Sequence, residues 1–317
     1  MPPEHALARI DTSAADDHVC RALLAQGSRS FSAASRLLPL RLRAPLAAIY
    51  GFCRVADDAI DEGDDASAAL AMLHAQLDRV YAGRPADGAV ERSLTRVVHA
   101  HGIARPVLDA LLDGFASDAR GDRHETIDSL LEYAVRVAST VGVAVTLVIG
   151  VRDRDVLARA TDLGAAMQLT NVARDVGEDA RRGRVYLPAQ WFVHHGLDRD
   201  AWLRAPDFNP AIAAMVDRLL GVAEFYYRRA DAGIAALPAD CRPAIRAASL
   251  VYEDIGRVIR RRGCDSVGGR ARTTAWRKLV LLLRARTRSI IADSALLGVP
   301  AIPLAGDLVD ACVGARG

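Results

Sequence analysis

The chain predicts an all-α fold, on three observations. Apolar residues recur at spacings of three and four rather than two. Alanine, leucine and arginine, all good helix formers, are abundant from end to end. Glycine and proline fall at wide intervals, many of them roughly 15 to 25 residues apart, which is the length range of helices. No β-rich cluster, internal repeat or low-complexity linker interrupts the pattern, so residues 1–317 read as one helical domain.

The N-terminal stretch lacks a basic region followed by an apolar one, so no signal sequence is expected. Pro45 suits a first helical turn and Gly63 a C-terminal stop. Between them LAAIYGFCRVADDAID places Leu46, Ile49, Phe52 and Cys53 on one face. The apolar run VGVAVTLVIGV, Val141 to Val151, falls short of the ~20 residues that span a bilayer and reads as a buried core helix. A second long helix is expected from about Val156 to Asp179, followed by the arginine-rich stretch ARRGRVYLP. The tail after Ile291 is apolar but broken by Pro300 and Pro303; it could lie on a membrane but not cross one.

Composition removes several function classes. With 317 residues, 51% apolar and 25% charged, the chain can bury a core without disulfides. Forty-one basic against 39 acidic residues leave a net charge of +2, too small an excess to expect a nucleic-acid partner. Lys278 is the single lysine, which disfavours Schiff-base chemistry. Five scattered cysteines, never spaced CxxC, suit a reducing cytoplasm and argue against a disulfide framework or a zinc site.

Two acidic stripes point to chemistry. Asp57, Asp58 and Asp61 form DDxxD, with Asp57 and Asp61 stacked at i and i+4 on a helix. Asn171, Asp175 and Asp179 repeat the arrangement at i, i+4 and i+8, with Gln168 on the same side. Each stripe continues an apolar face (AIYGFC, then AAMQL), so the carboxylates are expected at a cavity rather than on a solvated surface. Only hard oxygen ligands are offered, which favours Mg²⁺, with Mn²⁺ as an alternative. Mg²⁺ held by few carboxylates takes the rest of its shell from water and substrate phosphate, so a diphosphate substrate is expected. Arg54 and Arg174 stand beside the stripes, where their forks match phosphate oxygens. Arg181 and Arg182, just past the second stripe, are better read as a charge-paired surface.

The segments SRSFSAASRLLP, YGFCRVADDAID and LTNVARDVGED followed by RVYLP resemble the squalene and phytoene synthase family, over roughly Cys20 to Leu283. The resemblance implies an all-α class I isoprenoid synthase fold around a central cavity, and head-to-head condensation of two prenyl diphosphates through a cyclopropyl diphosphate. By position it implies metal ligation by Asp57, Asp58, Asp61, Asn171, Asp175 and Asp179. Ser28, Arg29, Tyr50, Arg54, Arg174 and Tyr186 match diphosphate-binding positions, and Phe31 belongs to the first motif. Gln168 and Tyr133 match cavity positions. Tyr252 and Arg270 or Arg272 match C-terminal site residues, with Gly268 and Gly269 standing where a serine and an arginine are common. A prenyl diphosphate synthase upstream and a desaturase downstream are the partners such an enzyme would have.

Within the family, the wording of RVYLPAQWF and ALPADCRPAIRAASLVYEDIG most resembles bacterial phytoene synthases. No G-x-G-x-x-G follows a strand, and NADPH is not expected. Small residues at Ala33, Ala34, Ser35, Ala138, Gly142 and Ala144 leave room for twenty-carbon tails. The expectation is phytoene from geranylgeranyl diphosphate; squalene or dehydrosqualene from farnesyl diphosphate is the alternative. A terpene cyclase would want serine or threonine and glutamate in the second motif, and a head-to-tail prenyltransferase a second DDxxD. A non-catalytic scaffold would not need Asn171, Gln168 and the arginines. Location is expected in the cytoplasm, with peripheral contact at the inner membrane face through Arg284, Arg286 and Arg288 beside LVLLL, or through the tail.

Overall fold

The computed structural model describes residues 12–27, 29–61, 65–287 and 292–314, with only the backbone described at 29–31 and 61. Every regular element among them is helical. α1 (Ser13–Gly27), α2 (Arg29–Ser35) and α3 (Leu40–Asp61) come first. α4 (Ala66–Tyr81), α5 (Ala89–His101) and α6 (Arg105–Arg120) build the first half with α3, and α7 (Ile127–Ala134) leads into a π-helical turn, Val135–Ser139, and α8 (Thr140–Ile149). α9 (Arg154–Arg181), α10 (Ala189–His194), α11 (Arg199–Arg204), α12 (Pro210–Ala236) and α13 (Arg242–Arg261) form the second half. α14 (Ala275–Thr287) and α15 (Pro303–Gly314) pack outside it.

Local chemistry explains the boundaries. Asp65, Asp153, Asp198 and Asn209 each cap a helix by accepting from backbone N–H groups of its first turn. Gly102, Gly121 and Gly150 end helices in the left-handed conformation that glycine adopts without a Cβ penalty. α3 starts five residues before Pro45, which therefore sits inside the helix rather than in its first turn. The extra turn forms because Leu42 is buried in the core, which offsets the one backbone hydrogen bond proline forgoes. Gly63 lies outside the described residues.

Two apolar cores fill the molecule. One is built by α1, α3, α4, α5, α6 and α8; the other by α7, α9, α12, α13 and α15. α9 and α12 pack along their lengths, and α9 also crosses α8 closely. The helical run Ile127–Ile149 is long and apolar enough by composition to cross a membrane, yet it lies largely inside the bundle, as the buried-helix reading expects. The C-terminal tail is likewise folded in: Ala305, Leu308, Val309 and Cys312 of α15 are buried. That corrects the expectation of an apolar tail offered to a membrane, because amphipathic α15 spends its apolar side on the core.

Candidate active site

Between the two cores lies a cavity of about 300 Å³. On α3 its wall is Leu46, Ile49, Tyr50 and Cys53; on α9 it runs from Val156 and Arg159 through Ala160, Leu163, Gly164, Met167 and Gln168 to Asn171. Each stripe steps by three or four residues, and the next step on each helix is an acid: Asp57 after Cys53, Asp175 after Asn171. Both runs go from apolar to acidic toward the helix C-terminus, and the two tyrosines of the cavity wall link the acidic ends: Tyr50 is close enough to feel Asp57 and Tyr252, and Tyr252 to feel Arg174 and Asp175. Carboxylates at the negative end of a helix dipole are unfavourable twice over, and the arrangement calls for cations.

Part of that charge comes from arginine. Arg54 reaches Asp58 at 2.6 Å and lies 3.9 Å from Asp57, all three nearly half exposed. Asp175 accepts two forks at once, from Arg174 at 2.6 and 2.7 Å and from Arg270 at 2.7 and 2.9 Å. Arg270 also lies 3.0 Å from Glu178. Asp179 lacks such relief: burial first, then the Asp175 and Glu178 carboxylates, push its carboxyl up to about 7 against Arg182 and Arg184. The Asn171 Nδ2 donates to Gln168 at 3.3 Å and the Asn171 side chain hydrogen-bonds Tyr252, but the buried Asn171 Oδ1 has no hydrogen-bond partner. Among the described residues no three acidic or imidazole side chains converge as a ready metal cage. The unpartnered Asn171 Oδ1 and the Asp179 carboxyl, with Asp175 between them on the same stripe, still form a set of hard oxygens, which fits a divalent cation brought in with phosphate.

The sequence-selected residues divide by position. Tyr50, Gln168, Asn171 and Tyr252 line the cavity, and Asp57, Asp58, Arg54, Arg174, Asp175, Asp179 and Arg270 follow at its acidic end. Arg270 rather than Arg272 reaches the acidic stripe. Ser28 lies outside the described residues, as do the side chains of Arg29, Phe31 and Asp61. Tyr133 and Tyr186 are not among the cavity-lining residues: their hydroxyls donate to Asp118 at 2.8 and 2.7 Å, and their rings stack with one another and with His124. A buried phenol needs an acceptor, and Asp118 provides it for both. Sequence reading missed Asp118, because 15 residues separate it from Tyr133 and 68 from Tyr186, and no short motif links them.

The apolar end of the cavity is walled by small side chains. Ala34 and Ser35 of α2, with Ala138 and Gly142, line it as the spacing suggested. Ala33 and Ala144 do not; Ala144 is buried in the first core, since two residues along a helix turn it to the opposite side. Arg181 and Arg182 take surface roles, on the Val267 carbonyl and on Glu178. All five cysteines are free, and burial pushes the Cys53 thiol in the cavity wall up to about 12.

Comparison with known proteins follows the same lines. The squalene/phytoene synthase family matches residues 24–277. A phytoene synthase of Cereibacter sphaeroides is 46% identical over 290 residues, covering 88% of this chain and 82% of that protein. A phytoene synthase of Rhodobacter capsulatus is 43% identical, covering 94% and 90%. Among solved structures, a dehydrosqualene synthase superposes with a TM-score of 0.79 at 29% identity, over 87% of this chain and 96% of that one. A squalene synthase from Alicyclobacillus acidocaldarius gives 0.74 at 25% identity, over 79% and 95%. An apolar cavity whose α3 and α9 walls each run into an acidic stripe, and a match running through both, place this chain in the squalene/phytoene synthase family.

Proposed function

We propose that this chain condenses two geranylgeranyl diphosphates head to head into phytoene, without a reductant. The observation that carries the reading is the run of both cavity walls, on α3 and α9, into acidic ends flanked by arginines. Relatives 43–46% identical that are named phytoene synthases support the choice within the family.

In this reading the apolar wall takes the hydrocarbon tails and excludes water, while Arg54, Arg174 and Arg270 hold diphosphate oxygens at the mouth. Asp57, Asp61, Asn171, Asp175 and Asp179 would hold Mg²⁺, which when bound supplies positive charge to the departing diphosphate. The first donor loses pyrophosphate, and its allylic cation is captured by the double bond of the second donor. Proton loss then closes a cyclopropane. Loss of the second pyrophosphate, rearrangement and a further proton loss give the central double bond. Tyr252, which hydrogen-bonds Asn171 in the cavity wall, is placed to orient the base that removes a proton; burial holds its own hydroxyl protonated. The balance is two donors in, one hydrocarbon, two pyrophosphates and two protons out. So apolar a product partitions to a bilayer rather than to water, at ~0.8 kcal/mol per CH₂.

Purified protein with Mg²⁺ and either C15 or C20 donor, with and without NADPH, tests this. We expect pyrophosphate release and a C40 hydrocarbon with an unsaturated centre, independent of NADPH. Strict NADPH dependence or a C30 product would replace the reading with squalene or dehydrosqualene synthesis; no pyrophosphate from any donor would leave a scaffold.

A further inference from the structure

α14 presents its apolar side outward. Trp276 is 73% exposed, Leu279 46% and Leu283 55%, while Leu281 and Ala285 pack inward on α13. At 100° per residue the three exposed side chains fall within about 60° of arc. Arg284 and Arg286, both exposed and without an ion pair among the described residues, flank that stripe on either side. Arg277, facing inward, holds the helix down through a 3.0 Å hydrogen bond to fully buried Asp254. No acidic residue occurs between Asp265 and Asp293, so no acid of this segment offsets Arg284 and Arg286 in a chain whose net charge is only +2.

The helix beneath α14 gives the stripe its meaning. α13 turns Ala247, Leu250 and Val251 to α14, and Ala244, Ile245, Ala248 and Tyr252 to the cavity. The turn after α2 does the same: Leu37 packs against the α14 cluster, while Ser35 and Leu38 line the cavity. One helix, α13, about 10 Å thick, therefore separates the cavity from α14, whose outer face carries the stripe.

We infer that α14 docks this protein on a bilayer bearing anionic headgroups, with Trp276, Leu279 and Leu283 seated at the headgroup boundary and Arg284 and Arg286 on lipid phosphates. An apolar stripe with an interfacial tryptophan, edged by arginines, matches an amphipathic helix lying in that plane. Docking there brings the α13 and α2 wall of the cavity within two helix layers of lipid, giving a long-tailed donor and a hydrocarbon product a short path that avoids bulk water. The transfer path rests on the proposed condensation; the docking surface does not.

The test is co-sedimentation of the full chain with phosphatidylglycerol-containing vesicles and with pure phosphatidylcholine vesicles. We expect binding to the anionic vesicles that weakens at about 0.5 M salt. Trp276→Ser/Leu279→Ser/Leu283→Ser, all exposed positions, should lose about tenfold or more in vesicle affinity, and Arg284→Glu/Arg286→Glu likewise, with unchanged circular dichroism. Turnover of detergent-dispersed donor should be unchanged in both. Wild-type affinity in the triple variant, or no binding by the wild type, overturns the inference. So does a wild-type dimer that the triple variant dissolves, which would make the stripe a contact between copies. Vesicle binding through α14 with no pyrophosphate release from any donor would overturn the condensation and leave the docking surface standing.

Discussion

Asp175 and Asp179 sit one turn apart on α9 and are held in opposite ways. Asp175 is neutralised by two arginine forks, whereas Asp179 is buried beside like charges. Replacing either by Asn, or Asp57 or Asp61, should lower turnover by roughly a hundredfold or more, since each removes charge from the leaving-group end. Stability should separate them. Asp179→Asn should hold or raise the melting temperature, because it removes an unfavourable charge. Asp175→Asn should cost about 1–3 kcal/mol, because it leaves Arg174 and Arg270 without their carboxylate. Equal thermal shifts in the two variants would contradict this geometry. His124 gives a pH test. Burial, then Arg199, lowers its pKa to about 4, below the ordinary 6.5. The unfolded chain therefore binds the extra proton between those values, and stability falls as pH drops from 6.5 toward 4. His124→Phe should flatten that slope, by up to about 3 kcal/mol at the acid end, read from urea midpoints across the window.

At the scale of elements, the depth of the cavity is set by α2 and by the α8–α9 crossing. Ala34→Phe or Ser35→Phe puts a ring into the apolar end and should shift preference from C20 toward C15 donors, measured as the ratio of kcat/KM values. Unchanged preference in both would place the floor elsewhere. Where the π-helical turn before α8 meets α9 there is no spare room: a Cβ on Gly164 would stand 2.6 Å from Ser139 Cα and 2.7 Å from the Ala138 carbonyl oxygen. Gly164→Ala should therefore destabilise by about 1–3 kcal/mol and widen the spacing between α9 and the π-helical turn. The small residues were legible in the sequence as room for tails; that some of them also serve close helix approach was not, because spacing says nothing about the partner helix.

Across the whole molecule, the C-terminal segment acts as a strap. Buried Arg159 donates to the Leu296, Leu297 and Val299 carbonyls and Arg229 to that of Pro300, while both pair with fully buried Asp162 at 2.7 and 2.9 Å. Ending the chain at Ile291 would strip those acceptors and expose the buried face of α15. Such a truncation should melt at a markedly lower temperature or aggregate, and a truncation that melts like the full chain would refute the strap. Membrane contact is accordingly better probed on α14 than by removing the tail.

By itself, the sequence determined the all-α class and the two acid-bearing helices, because helical periodicity and i,i+4 stripes are local and survive in one dimension, and its motifs carried the resemblance to the family. The resemblance pointed to Tyr252, Asn171 and Gln168, which line the cavity, and to Tyr133, which does not. Only the tertiary structure decided which partners meet across long separations. Arg270 reaches Asp175 from 95 residues away, Asp118 takes both tyrosine hydroxyls, and Asp162 joins two arginines 70 residues apart. These contacts obey no sequence period: a buried polar group must find a partner wherever packing brings one within hydrogen-bond distance, and packing is a property of the assembled helices.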